Sequence, residues 1–174
     1  MQEFSNVFVN VIENISSPFW EFLWVLGFFI AFIWSANIIW RYWRGNIIPG
    51  ATVVSIAELL SVMIISSLLA NYSSFLNTIS HSLGLGDADF SPIAYIDEGG
   101  DLGSIASIIN SAMTFAALMG GVYGIKGLIL LYKSVNGQSG SGQDFVWKSV
   151  VHIVFGGLLV QISNFISAAA NTAY

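Results

Sequence analysis

Read from its N-terminus, the chain alternates long apolar runs with short polar interruptions, and the runs are long enough to predict membrane-crossing helices. Residues 1–17 come first. Phe4, Val7, Phe8, Val11, Ile12 and Ile15 recur at three- and four-residue intervals, with Glu3, Asn10, Glu13 and Asn14 between them. That spacing predicts an amphipathic helix lying in a membrane interface. Pro18 to Trp40 is the first spanning run, 23 residues against the roughly 20 that cross a hydrocarbon core. Pro18 suits a first helical turn. Trp20 and Trp24 stand near one end, Trp40 and Trp43 near the other, as interface-seeking indoles do.

The turn RYWRGNIIPG, residues 41–50, separates this run from a second, Ala51 to Tyr72, which carries Glu58. Residues 73–103 are polar and acidic, and predict a short helix followed by a turn-rich loop. The third run extends from about Ser104 to Tyr132, longer than a bilayer needs, so it should tilt or protrude. Residues 133–148 read as a flexible Gly/Ser turn. The fourth run is Ser149 to about Ala169. The expected fold is all-α and integral to a membrane: four spanning helices as two hairpins behind an N-terminal amphipathic segment. The expected divisions are 1–72, 73–103 and 104–174.

Within the third run, Ala112, Ala116, Gly120 and Gly124 recur every four residues and share one helical face. Glycines weaken a helix in water by about 1 kcal/mol each. In lipid a small-xxx-small stripe lets two backbones approach closely. This face is the expected helix-packing and oligomerisation surface.

Composition agrees with this pattern. Of 174 residues, 55% are hydrophobic and 9% charged, against about 25% charged in a soluble domain. Mean hydropathy is +0.75. There is no cysteine, so neither disulfides nor thiolate metal sites can form. A net charge of −5 argues against a nucleic-acid surface and sequence-specific binding to it. The N-terminus lacks the basic region of a cleaved secretory signal.

The five basic residues set the expected orientation. Arg41, Arg44, Lys133 and Lys148 fall in the two short turns, and Lys126 lies about two turns inside the third helix. Glu3, Glu13, Glu21, Asp87, Asp89, Asp97, Glu98 and Asp101 fall on the opposite side. The positive-inside rule then places both turns in the cytoplasm and both termini outside it. A faint repeat accompanies the two hairpins. At an offset of 90, Tyr42 meets Tyr132, Asn46 meets Asn136 and Gly50 meets Gly140.

Glu58 and Lys126 lie at similar depth from the same interface, roughly 10 Å in at 1.5 Å per residue. An opposite charge is the natural partner of a charge in hydrocarbon. Three readings stay open: a Glu58–Lys126 pair fixing register, with Asn37 and His152 in the same layer; separate snorkelling; or an ion path through Glu58 and His152. Neither histidine has metal-ligand spacing, and no phosphate loop, catalytic triad or other enzyme motif stands out. No metal and no cofactor beyond bound phospholipid is expected.

The segment MGGVYGIKGLILLYKSVN, Met119 to Asn136, with the polar turn through Gln143, resembles the small inner-membrane proteins of the Dot/Icm and IncI-plasmid conjugation systems, and is similar to TraQ/IcmC-like proteins. The resemblance implies a bacterial inner-membrane, pilin-like subunit of a type IV secretion or conjugation apparatus. It implies partners among copies of itself, other apparatus subunits and membrane lipid, and an extracellular filament after assembly as one fate. In conjugative pilins the basic turn faces the lumen or lipid headgroups, which assigns that contact here to Lys133 and Lys148, and by extension to Arg41 and Arg44. The chain departs from pilins in having four spans and no obvious leader, as a fused double hairpin would. A small ion- or proton-coupled transporter is the alternative.

Overall fold

The computed structural model describes residues 2–96, 104–136 and 142–172. Six helices follow in order: α1 Gln2–Ile47, α2 Ile56–Ala70, α3 Tyr72–Ser82, α4 Ser104–Val135, α5 Gly142–Val160 and α6 Ile162–Thr172. Among the described residues there is no strand, so the fold is all-α. Asp97, Glu98, Asp101 and Gly140 lie outside the described residues.

Two helices, α1 and α4, are long and apolar enough to cross a membrane. The pairs α2–α3 and α5–α6 meet that test only when each is taken together, and they bend by 92° and 81° at their breaks. Among the described residues the count of candidate crossings is therefore two, or up to four if each bent pair is one span.

The first helix differs from expectation. Residues 1–17 do not form a separate segment before a helix starting at Pro18; α1 runs through with Pro18 inside it. A proline there removes one backbone hydrogen bond and crowds the preceding turn, at about 3 kcal/mol in an ordinary helix interior. The apolar periodicity nevertheless continues across it in phase. Val7, Val11, Ile15, Phe22, Val25, Phe29, Phe32, Trp40 and Trp43 fall on one exposed stripe at 3.6-residue spacing. Ile12, Ser16, Trp20, Leu23, Gly27, Ala31 and Ile38 form the buried stripe on the other side.

The second run also differs. Residues 52–55 are not helical, Ser55 being extended, and α2 begins only at Ile56. Ser55 caps it, its hydroxyl accepting from the Glu58 N–H at 3.1 Å. Ser55-x-x-Glu58 is the spacing of a capping box, and Thr52-Val53-Val54 before it is β-branched. Glu58 thus sits in the first turn of α2. The Gly/Ser turn is shorter than expected as well, because α4 runs to Val135 and α5 starts at Gly142, leaving Lys133 and Lys148 helical.

The two halves of the chain repeat one plan, a long helix followed by a bent pair. Ala70 and Val160, Tyr72 and Ile162, and Ser82 and Thr172 are matching helix ends, each pair 90 positions apart. The breaks carry related sequences, SSLLANYSSF (66–75) and GGLLVQISNF (156–165). Their backbone bonds match: Asn71 N–H donates to Ser67 O and Gln161 N–H to Gly157 O, both at 3.2 Å. Phe75 N–H then donates to Asn71 O and Phe165 N–H to Gln161 O. At the ends of the long helices the Asn46 amide donates to Tyr42 O at 2.8 Å and the Asn136 amide to Tyr132 O at 3.0 Å. Burial repeats too. Ser16, Trp20, Leu23, Gly27, Ala31 and Ile38 are buried, and so are Ala106, Asn110, Met113, Ala117, Gly121 and Leu128, each 90 positions on.

Contacts gather the chain into two compact units, each drawing on both halves. One comprises residues 1–23, 76–124 and 154–174; the other comprises 24–75 and 125–153. In the first unit Gly120 and Gly121 bring α5 and α1 against α4. In the second, Ile38, Val54 and Val62 are buried beneath Trp34, Tyr42, Leu59, Tyr132 and Val135.

Candidate functional site: the polar layer at the helical turns

In the second unit, the end of α1, the start of α2 and the end of α4 meet around Arg41. Its Nη2 lies 3.2 Å from Glu58 Oε1, and its Nη1 donates to Asn136 Oδ1 at 3.0 Å. Asn136 uses its own amide N–H on Tyr132 O, which orients the oxygen for Arg41. One layer in, Trp34 stacks on Tyr132 with centroids 3.9 Å apart and planes 7° from parallel. Capping places the Glu58 carboxylate at the α2 N-terminus, where the helix dipole favours negative charge. Arg41 and Glu58 are partly exposed, a setting in which an ion pair contributes about 0.5–1 kcal/mol.

Depth makes Lys126 the expected partner of Glu58; the ion pair that Glu58 forms in the structure is with Arg41. Lys126 stands exposed on α4. His152 is half-buried, its Nδ1 2.7 Å from Lys148 O. The basic residues of the turns are mostly exposed. Lys133 and Arg44 project from the last turns of their helices, and Lys148 Nζ lies 5.7 Å from the centre of the Phe145 ring. Beside Arg41, a recess of about 330 Å³ is lined by Arg41, Arg44, Gly45, Gly50, Ala51 and Thr52.

The small-residue face of α4 is not uniform. Gly120 and Gly124 are buried against α5, where Gly156 O and Leu159 approach Gly120, and the Gly124 backbone approaches Gly156. Ala116 is half-buried and Ala112 is exposed. The glycine half of the stripe is therefore covered by the chain's own α5 and is not open to another copy. The same line of contact recurs in the second unit, where Ser149 donates to Gly127 O at 2.8 Å and Ile153 packs against Gly127.

The first unit holds polar contacts that the residue pattern did not single out. Asn110, buried on α4, accepts from the Tyr95 and Ile96 N–H groups and donates to Ile96 O. Thr114 accepts from Ile93 N–H. Buried Gln161, at the α5–α6 break, donates to Asp87 O at 2.7 Å, and Asn164 donates to Leu85 O. These amides tie the 83–96 loop to two helices. An Asn inside an apolar helical run was their available signal. Asp87 also meets His81 Nε2 at 2.7 Å. Hydrogen bonds from His81 and Asn77, and the His81 charge, hold the Asp87 carboxyl below its usual pKa. Ser91 does the same for Asp89 through its hydroxyl and backbone N–H.

Among the described residues no three His, Cys, Asp or Glu side chains gather as metal ligands. Among the described residues the buried polar side chains are Ser, Thr, Asn and Gln, with the Tyr72 phenol also buried and no charged side chain among them. Such a set can hold helices and a loop in place and present cations at a surface. In comparisons with known proteins, no family model, curated protein or solved structure matches the chain.

Proposed function

We propose that the chain is an integral membrane protein whose crossings are α1, α2–α3, α4 and α5–α6. It serves as a structural, oligomerising subunit of a bacterial type IV secretion or conjugation apparatus, or of its pilus. The observation that carries this reading is the duplicated hairpin. The chain holds one plan twice, a long helix followed by a bent pair, in the same order, with matched helix ends and matched turn hydrogen bonds, as a fusion of two pilin-like hairpins would. The exposed stripe of α1, from Val7 to Trp43, supports a lipid-facing surface, because a row of exposed Phe, Val, Ile and Trp is costly in water and costs nothing in hydrocarbon. The 92° and 81° bends lie within the α2–α3 and α5–α6 crossings of this reading, as breaks in each span.

The transporter alternative would run through Glu58, Lys126 and His152. None of the three is buried, and Glu58 is engaged by Arg41, so the geometry favours the structural subunit. Electron microscopy of the protein purified with its native lipid, together with DNA-transfer assays on a deletion strain, tests the proposal. Filaments or large symmetric rings and abolished transfer are expected. Small closed oligomers that conduct protons or ions in liposomes would overturn it.

A further inference from the structure

We propose that the recess between the 89–95 segment and the α5–α6 break is a binding site for a primary ammonium group, with the Asp89 carboxylate as its counter-ion. The recess lies wholly within the first compact unit. Its side chains play no part in the secretion reading, so the two stand or fall separately.

The recess has a volume of about 490 Å³, the size of a small-ligand site. Val160 and Gln161, both buried, line it together with Asp89, Tyr95, Ser163 and Asn164. No Lys, Arg or His lines it. Among the described residues Asp89 has no ion-pair partner. Ser91 gives both its hydroxyl and its backbone N–H to Asp89 Oδ1. That orients the carboxylate, favours its ionised form and leaves Oδ2 open. The Asn164 amide commits its N–H groups to Leu85 O and Gln161 Oε1, so it offers the recess its Oδ1. The Ser163 hydroxyl and the Tyr95 phenol have no hydrogen-bond partner among the described residues.

Every one of these open groups can accept a hydrogen bond, and the two oxygens of Asp89 and Asn164 can do nothing else. The wall therefore repels anions and calls for a donor. A neutral alcohol would donate but leave the carboxylate charge unbalanced. An ammonium supplies one positive charge and three N–H donors, and hydrogen bonds between charged partners are about twice as strong as neutral ones. The volume leaves room for the organic body that carries it. The Tyr95 ring, 41% exposed, adds a surface that attracts cations.

The walls are held in place from behind. Ile93 N–H is fixed by Thr114 and Tyr95 N–H by Asn110, both buried on α4, and Phe90 meets Trp20 edge-on with ring centres 4.9 Å apart. From the other side Gln161 grips Asp87 O. The repeat isolates the feature. At the α2–α3 break the Asn71 amide turns back to Ser67 O on its own helix, whereas at the α5–α6 break the amides of Gln161 and Asn164 reach out to the loop. A bent helix pair of this kind does not itself require the recess.

The shared chemistry is the ammonium; a free amine and a lysine side chain of a polypeptide are its two sources. The full chain in uncharged maltoside micelles is titrated with n-butylammonium chloride at constant ionic strength. The NMR shifts of the Asn164 side-chain amide and the Ala94 backbone amide are followed. Saturable shifts are expected, with affinity falling about tenfold in Asp89→Asn and about threefold in Ser163→Ala, and unchanged in Glu21→Gln. n-Butanol, which lacks the charge, and tetramethylammonium, which lacks the N–H donors, should bind at least about tenfold more weakly. Tighter binding of N-acetyl-lysine methylamide than of n-butylammonium would keep the site and assign it to a lysine side chain. Absence of saturable shifts, equal binding of n-butanol or tetramethylammonium, or equal weakening by Glu21→Gln and Asp89→Asn would each overturn the proposal. Should Asp89→Asn lose the native spectrum, Ser163→Ala decides, because it leaves the 89–95 segment untouched. A deletion strain with normal DNA transfer would sink the secretion reading and leave this titration unchanged.

Discussion

Gly120→Ala adds one methyl group where α4 and α5 touch through their backbones. A Cβ at Gly120 would lie 2.6 Å from Gly156 O, 2.7 Å from Leu159 Cβ and 2.8 Å from Val160 N. An ordinary contact needs about 3.4 Å, so the shortfall is about 0.8 Å. Two of the three obstacles are backbone atoms and cannot escape by changing rotamer, so the helices must part. A gap of that order forfeits about a quarter to a half of each dispersion contact along the seam, and overpacking in well-filled sites costs about 1–3 kcal/mol. Alanine regains up to about 1 kcal/mol of helix propensity over glycine. The net expectation is a loss of about 1–2 kcal/mol for Gly120→Ala, and about 3 kcal/mol or more for Gly120→Val. The assay is SDS titration in mixed micelles, followed by circular dichroism. Ala112→Val is the control, on the same sequence stripe but exposed, and should change stability by less than about 0.5 kcal/mol. Gly120→Ala as stable as the unaltered protein, or Ala112→Val as damaging as Gly120→Val, would refute the reasoning.

The polar contacts give four further expectations. Glu58→Arg places two guanidinium groups together and should cost about 1 kcal/mol, with Arg41→Glu in the same chain restoring most of it; a double-mutant cycle with no coupling would remove the pair. Asn110→Leu leaves the Tyr95 and Ile96 N–H groups and Ile96 O without their partner, at about 2–3 kcal/mol, and should speed hydrogen exchange at residues 93–96 selectively. Because the folded Asp87 pKa is depressed, its tethering contribution is present above the ordinary carboxylate range, near pH 4, and fades as pH falls through the lower folded value. Loop exchange should therefore rise only at acid pH. His81→Ala should move the Asp87 carboxyl titration, read by NMR, upward toward the ordinary value; an unmoved midpoint would rule out His81 as the cause.

Hydrophobic periodicity alone determined the helical class, the four apolar runs and the polar turns, because a helix that buries one side or faces lipid must repeat near every 3.6 residues. It also carried a trace of the duplication, in Tyr42/Tyr132 and Asn46/Asn136, whose matching hydrogen bonds give that trace a physical basis. Ser55-x-x-Glu58 was a readable helix start that the apolar count of residues 51–72 obscured. Other decisions needed tertiary structure. Depth along a helix made Lys126 a partner for Glu58, but depth does not specify azimuth, and Arg41 approaches Glu58 through the α1–α2 turn. The spacing of Ala112, Ala116, Gly120 and Gly124 established that they share a face. Which part of that face is covered depended on where α5 crosses, and α5 covers the glycines while leaving Ala112 bare. Periodicity reports which side of a helix is small or apolar; only the packed chain decides which neighbour arrives there and how far along the helix it reaches.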